Sequence, residues 1–224
     1  MSTLRKFVKE VAVERGGRSI GRRERAKQEK LERIKAAARG LFSELGVSSV
    51  TTQQIADRAD VATGTLYLYA STKAELLIMV QNDKFAAAID GGLVAANAAV
   101  GDGVLEAVLA LVRPVVACVR EQIENGRTYL HELVFGDPTE PYRRAGLELS
   151  ARLENGITRL LTRGGYIDPA DAATLARVIT AIIHISTTAT LYMQHSDEAV
   201  LAHIREQIQA TLAPHRRAAR QLES

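Results

Sequence analysis

Two helix-start signals lie close together in the first third of the chain, and what they enclose limits the fold more than any other feature. In TTQQIADRADVATGTLYLYASTKAELL, residues 51–77, Thr51 with Gln54 and Thr72 with Glu75 both follow the Ser/Thr-x-x-Glu/Gln pattern of a capping box. In such a box the hydroxyl accepts from a first-turn amide, and the longer side chain reaches back to the cap amide. One helix is therefore predicted from about Thr52 to Ala59, and a longer one begins after Thr72. Between them is room for a turn at Asp60-Val61-Ala62 and a helix of about two turns, Thr63 to Tyr69. A helix, a short turn and a second short helix crossing the first form a helix-turn-helix, whose second helix enters the DNA major groove by its N-terminal end.

The residues of that short helix fit such a contact. Small side chains at Thr63, Gly64 and Thr65 let the backbone approach base edges, and Gly64 weakens a helix by about 1 kcal/mol relative to Ala. A plain turn glycine is the other reading of Gly64. Leu66 belongs in a core. Tyr67 and Tyr69 point about 200° apart on a helix, so they cannot share one core. Packing and a phenol-to-phosphate contact are both open to each, and Lys73 adds a cation at the start of the next helix. Upstream, Leu31, Ile34, Ala38, Leu41, Phe42 and Leu45 repeat at helical spacing from Arg22 onward, with Gly46 as the stop.

Charge separates this end from the rest. Met1 to Lys73 carries 15 Lys/Arg against 8 Asp/Glu, although the whole chain of 224 residues is only +3. A solvated tail is the bland reading of the first 24 residues; an anionic partner such as DNA is the other. The lone Cys118 cannot make an internal disulfide, no zinc-type Cys/His spacing occurs, and the charged N-terminus is unlike a secretion signal. A soluble cytoplasmic protein without metal, cofactor or membrane partner is expected. His131-Glu132 lacks the second histidine of a zinc-protease helix and no phosphate-binding glycine loop is present, so an enzyme is not expected.

The remainder reads as helices: the one after Thr72, through Val80, Phe85 and Ile89 with a weak point at Gly91-Gly92; Val104 to Glu124 around Pro114; a short helix ended by Gly136 and Pro138; and a long one stopped at Gly164-Gly165. Asp168-Pro169 caps a further helix of about 25 residues. Its Leu175, Val178, Ile179, Ile182, Ile183 and Ile185 cover most of its circumference, so it needs burial on more than one side. The last helix has one stripe, Val200, Leu201, Ile204, Ile208 and Leu212. Phe85, Cys118, Tyr129, Phe135 and His184 are candidate walls of a ligand pocket, with ordinary core packing as the alternative for each.

The run from Leu31 to Leu77 resembles the DNA-binding segment of the TetR/AcrR family of transcriptional regulators. Thr51-Thr52, Ile55-Ala56, Ala59, Val61, Gly64-Thr65-Leu66-Tyr67, Tyr69, Lys73 and Leu76-Leu77 carry the likeness. The family typically has Ser at position 62, often Lys at 63, His or a similar residue at 68, and Phe at 70, where this chain has Ala62, Thr63, Leu68 and Ala70. The operator sequence therefore cannot be borrowed from a relative. The resemblance implies an all-α fold: a basic flexible arm over residues 1–24, a three-helix helix-turn-helix domain over 25–72, and a helical effector-binding and dimerisation domain over 73–224. It further implies that Thr52 meets phosphate and Gln53 looks into the groove, while Thr63, Gly64 and Thr65 meet base edges. Tyr67, Tyr69 and Lys73 would clamp the backbone, with Arg22 and Arg23 adding non-specific affinity. The last two long helices would form a homodimer interface through Leu175, Ile179, Ile182, Leu201, Ile204 and Ile208. The expected function is a homodimeric repressor that leaves a palindromic duplex DNA operator when a largely apolar small-molecule effector binds. A DNA-binding regulator without an effector, and a helical bundle bearing a chance motif, are the alternatives.

Overall fold

The computed structural model describes residues 21–163 and 167–222. Among them the chain forms nine α-helices: α1 (Arg22–Leu45), α2 (Thr52–Arg58), α3 (Thr63–Leu66), α4 (Lys73–Ala98), α5 (Val104–Arg120), α6 (Ile123–Phe135), α7 (Pro141–Thr162), α8 (Pro169–Thr188) and α9 (Asp197–Leu222). Short 3-10 turns at Ala99–Asp102 and Thr190–Tyr192 follow α4 and α8, and no strand occurs among the described residues. The first 20 residues of the expected arm and the Gly164-Gly165 stop lie outside the described residues. Arg22 and Arg23 lie in the first turn of α1.

Both helix starts form, but differently. Thr51 and Gln54 make the full box: the Gln54 amide donates to Thr51 Oγ1 (3.2 Å) and the Thr51 amide to Gln54 Oε1 (2.8 Å). At α4 only half forms. Thr72 Oγ1 accepts from the Glu75 amide at 3.0 Å, while the Glu75 carboxylate, only 2% exposed, accepts instead from the amides of Tyr142 (3.3 Å) and Arg143 (3.1 Å). Those are unpaired first-turn N–H groups of α7, and a buried carboxylate at the positive end of a helix satisfies them.

Four element boundaries depart from the sequence reading. α3 is a single α-turn, and from Leu68 the chain tightens into three-residue bonding: Leu68 N–H donates to Thr65 O (3.1 Å) and Tyr69 N–H to Leu66 O (2.9 Å). Ala62 supplies no side-chain cap and Gly64 disfavours helix, which explains the short element. α4 runs on through Gly91-Gly92 because Gly92 faces α5, where a Cβ would strike the Leu111 carbonyl. α5 stops at Arg120, since Gln122 Oε1 accepts from the Asn125 amide (2.9 Å) and begins α6. α8 ends at Thr188 after 20 residues, where the Thr187 and Thr188 hydroxyls bond carbonyls of their own last turn.

The apolar residues form two cores. Ile34, Phe42, Val47, Ile55 and Leu66 pack with Leu76, Leu77, Met79 and Val80 in the first, so that core reaches past residue 72 to Val80. Val80, which the expected effector-binding domain over 73–224 would include, belongs here. Phe85, Ile89, Val108, Leu111, Tyr129, Ile157, Ile179 and Ile204 belong to the second. α4 thus enters both, and Tyr142 at the start of α7 packs against both.

Candidate nucleic-acid interface and sensor groove

The turn of the helix-turn-helix is made by Asp60 in the left-handed region (φ 52°), a conformation Asp tolerates better than most residues. Side chains then tie α2 to α3. Thr63 Oγ1 donates to Gln53 Oε1 (2.6 Å), Gln53 Nε2 donates to Asp57 (2.7 Å), and Thr52 Oγ1 and the Tyr67 hydroxyl share a hydrogen bond of 3.2 Å. Thr52, Gln53, Thr63 and Tyr67 therefore form one polar surface. Gly64 lies in it, exposed, with a negative φ, and a Cβ built on it meets nothing within 4 Å. Thr65 is half-buried beside it. Leu68, where the resemblance leads one to expect His or a similar residue, is 83% exposed.

Two expected clamps have internal duties. The Tyr69 hydroxyl donates to Lys27 O of α1 (3.3 Å), and Lys73 Nζ donates to Val50 O (2.9 Å), pinning the turn before α2. An ammonium keeps two further donors for a phosphate. Arg22, Arg23, Lys27 and Lys30 are exposed along the first turns of α1. Farther along, Lys35 and Arg39 both pair with Asp83 of α4 (3.1 and 3.2 Å).

In the other domain, a groove of about 470 Å³ opens between α6, α8 and the turn after it, lined by Glu124, Arg127, Thr128, His131, Phe135, His184, Thr188 and Met193. Phe135 and His184 of the expected pocket line it; Phe85, Cys118 and Tyr129 do not. Phe85 and Tyr129 are core, their rings edge to face at 5.6 Å, with the Tyr129 hydroxyl donating to Asn82 (2.9 Å). Burial pushes the Tyr129 phenol well above its ordinary value. Burial also drives the Cys118 thiol up to about 11, with Lys84 pulling it down and Glu121 adding to the rise, so the thiol stays protonated and inert. His184 moves the other way: burial first, then the neighbouring His131, lowers its imidazole below the usual value.

Residues 34–80 match the family profile described as bacterial regulatory proteins, tetR family. Over 60 residues the chain is 40% identical to the HTH-type transcriptional repressor KstR of Mycobacterium tuberculosis, a match spanning 27% of this chain and 27% of that protein. Over residues 34–80 the chain carries a tetR-type DNA-binding segment. Solved structures extend the likeness in fold to most of its length. FadR of Thermus thermophilus, in complex with lauroyl-CoA, aligns with 81% of this chain and 92% of its own at a TM-score of 0.62 and 22% identity. FadR of Bacillus halodurans, a fatty acid degradation regulator, aligns with 80% and 94% at 0.60 and 22%.

The resemblance read from the sequence places a dimer interface on the last two long helices, yet most residues chosen for it are already in use. Leu175, Ile179, Ile204 and Ile208 are buried in the second core of the single chain, and Ile182 and Leu201 pack half-buried against it. The stripe of α9 faces its own bundle. What α8 turns outward is Val178 (40% exposed) and Ile185 (59%), with exposed Ala181 between them. The full apolar circumference of α8 was the signal for these residues, because a helix apolar all round has a second face to cover.

Proposed function

We propose that the protein is a homodimeric transcriptional repressor that reads a palindromic operator in duplex DNA with α3 and releases it when a small molecule occupies the sensor domain. Gly64 carries the DNA-binding part of this reading. Its backbone needs no glycine, no neighbour fills the space of a Cβ, and glycine weakens the helix. The reason for glycine therefore lies outside the chain, in a surface that must come close. On this reading Thr63, Gly64 and Thr65 meet base edges; Gln53 does so after giving up its bond to Thr63. Thr52 and Tyr67 meet phosphate, Tyr69 and Lys73 hold the domain in register beside the backbone, and Arg22 and Arg23 add affinity that salt removes.

The likeness to the repressor KstR supports repression, and the lauroyl-CoA complex of the Thermus FadR supports regulation by a small molecule. The outward face of α8, Val178 and Ile185, supports a two-fold dimer, and its two recognition helices must lie about 34 to 36 Å apart to enter successive major grooves. α4, shared by both cores, is the lever: an effector favouring a different spacing weakens operator binding, and operator weakens effector binding by the same factor.

Selection of bound fragments from chromosomal DNA by the purified full chain, followed by gel shift, tests the reading. Enrichment of one palindromic sequence is expected. Uniform, salt-sensitive binding to every fragment would refute sequence-specific regulation, and an operator complex unmoved by any compound that stabilises the protein would favour a regulator without an effector.

A further inference from the structure

The groove and the helix-turn-helix domain meet in one residue, Glu124, which lines the groove and also accepts a hydrogen bond from the Ser48 amide (2.7 Å) between α1 and α2. From this juxtaposition we infer that the groove binds an amphipathic anion, its acidic group on Arg127 and its apolar body against Phe135 and Met193, and that Glu124 passes occupancy to the α1–α2 turn. The inference rests on the reading of the protein as a ligand-responsive regulator, and it names the ligand chemistry and the route.

Arg127 identifies the chemistry. Its guanidinium offers five N–H donors in a planar fork suited to a carboxylate. In the structure those donors go to the Met193 thioether (2.8 Å) and the Thr190 hydroxyl (3.4 Å), two neutral acceptors, and Arg127 makes no ion pair among the described residues. An anion would replace weak partners with a charge-assisted pair. His131 and His184 line the same groove as further ring N–H donors, and the Phe135 ring lies 4.9 Å from that of His131. The one carboxylate of the lining, Glu124, is committed to Ser48.

The route follows from the first turn of α6. Beside Glu124, Asn125 is buried: its Oδ1 accepts from the Val47 amide (2.8 Å) and its Nδ2 donates to Phe42 O (2.7 Å). This turn thus grips the end of α1. Glu124 and Arg127 are three residues apart and share a helix face, so an anion arriving at Arg127 comes beside the Glu124 carboxylate and repels it from Ser48.

Decanoate and decanamide, matched in length and differing in charge, test this with the full chain by titration calorimetry and by amide hydrogen exchange over residues 46–49. Decanoate should bind at least about tenfold more tightly than decanamide, the size expected for one charge-assisted pair. Arg127→Gln should erase the difference while the melting curve shows a folded protein. Decanoate should speed exchange at Ser48, and Glu124→Ala should give fast exchange without ligand. Equal affinity for the two compounds, no binding of either, or an Arg127→Gln variant that still prefers decanoate would overturn the inference. Operator binding measured on the same samples keeps the two failures apart. Release of operator by another compound but not by decanoate sinks this inference alone; decanoate binding with altered Ser48 exchange, in a chain that binds no operator, supports the groove and sinks the regulator reading.

Discussion

Replacing Gly64 with Ala separates what the fold wants from what the interface wants. In the free protein the added Cβ meets no atom within 4 Å, and the backbone at 64 lies outside the positive-φ region. A Gly→Ala change at such a site stabilises by about 0.4 to 1 kcal/mol, mostly by restricting the unfolded chain. Because α3 is only four residues long, the lower half of that range applies, roughly 0.5 kcal/mol. For a chain of this size that is a rise of about 1 to 2 °C in melting temperature. Operator binding should move the opposite way. A methyl group between backbone and base edge removes contacts worth about 1 to 3 kcal/mol, or about five- to 150-fold in affinity. Scanning calorimetry and fluorescence anisotropy with the selected operator, at one fixed salt concentration, measure the two effects on the same preparation. A Gly64→Ala protein that melts lower, or that holds operator as tightly as the parent, would refute the argument that glycine is there for an external surface.

Lys73→Ala should weaken binding to specific and random DNA alike and flatten the salt slope by about one unit; a changed sequence preference with an unchanged slope would assign Lys73 only its bond to Val50 O. Asn125→Ala strands the buried Val47 amide, and thermal unfolding should report a loss of about 1 to 3 kcal/mol, whereas no loss would mean that the grip of α6 on α1 is loose. Ile185→Glu puts a charge on the exposed apolar face of α8 and should shift the protein from dimer to monomer in light scattering without lowering its monomer helicity. The Cys118 thiol should stay protonated in the folded chain up to about pH 11, so alkylation by iodoacetamide at pH 9 should be slow until urea unfolds the protein. The same raised value means that burial of the neutral thiol contributes stability below its ordinary range, lost as pH rises toward 11.

How much of this was legible in the sequence depended on whether a signal was local. The Thr51-Gln54 box, the Gly46 stop (φ 77°) and the Asp168 cap concern residues within one turn of each other, and each formed as read. The bundle, too, was legible, since helical periodicity is a local pattern. Glu75 was misread because its partner amides belong to α7, a long way along the chain, and a capping-box pattern cannot see a competing helix end. Gly92 was read as a weak point for the same reason: its purpose is the approach of α5. The site divides the same way. Thr52, Gln53, Thr63 and Tyr67 come together because α2 and α3 are neighbours in sequence. Of the pocket candidates only Phe135 and His184 reach the groove, since being aromatic or polarizable says nothing about which side of a helix faces a cavity. Arg127, which no motif marks, became visible only when its donors were found on a thioether and a hydroxyl.

The way α1 is attached bears on how a small movement in the sensor domain reaches DNA. α1 is held at two places by two different helices: Lys35 and Arg39 pair with Asp83 of α4, while Phe42 O and the Val47 amide bond to Asn125 of α6. Arg39 and Leu45, the last helical residue before the Val47 contact, are separated by about 9 Å along the helix at 1.5 Å per residue. A body held at one point can follow its support without turning, but a body held at two must rotate when the supports slip past each other. A slip of about 1 Å between α4 and α6, the size of ordinary helix shifts, over that arm corresponds to a rotation of about 6°. In a two-fold dimer both domains would turn, and the separation of the two α3 helices changes by the sum. On the proposed reading the operator would fix that separation and so resist the slip, and a ligand that drives the slip would be bound less tightly while the operator is held.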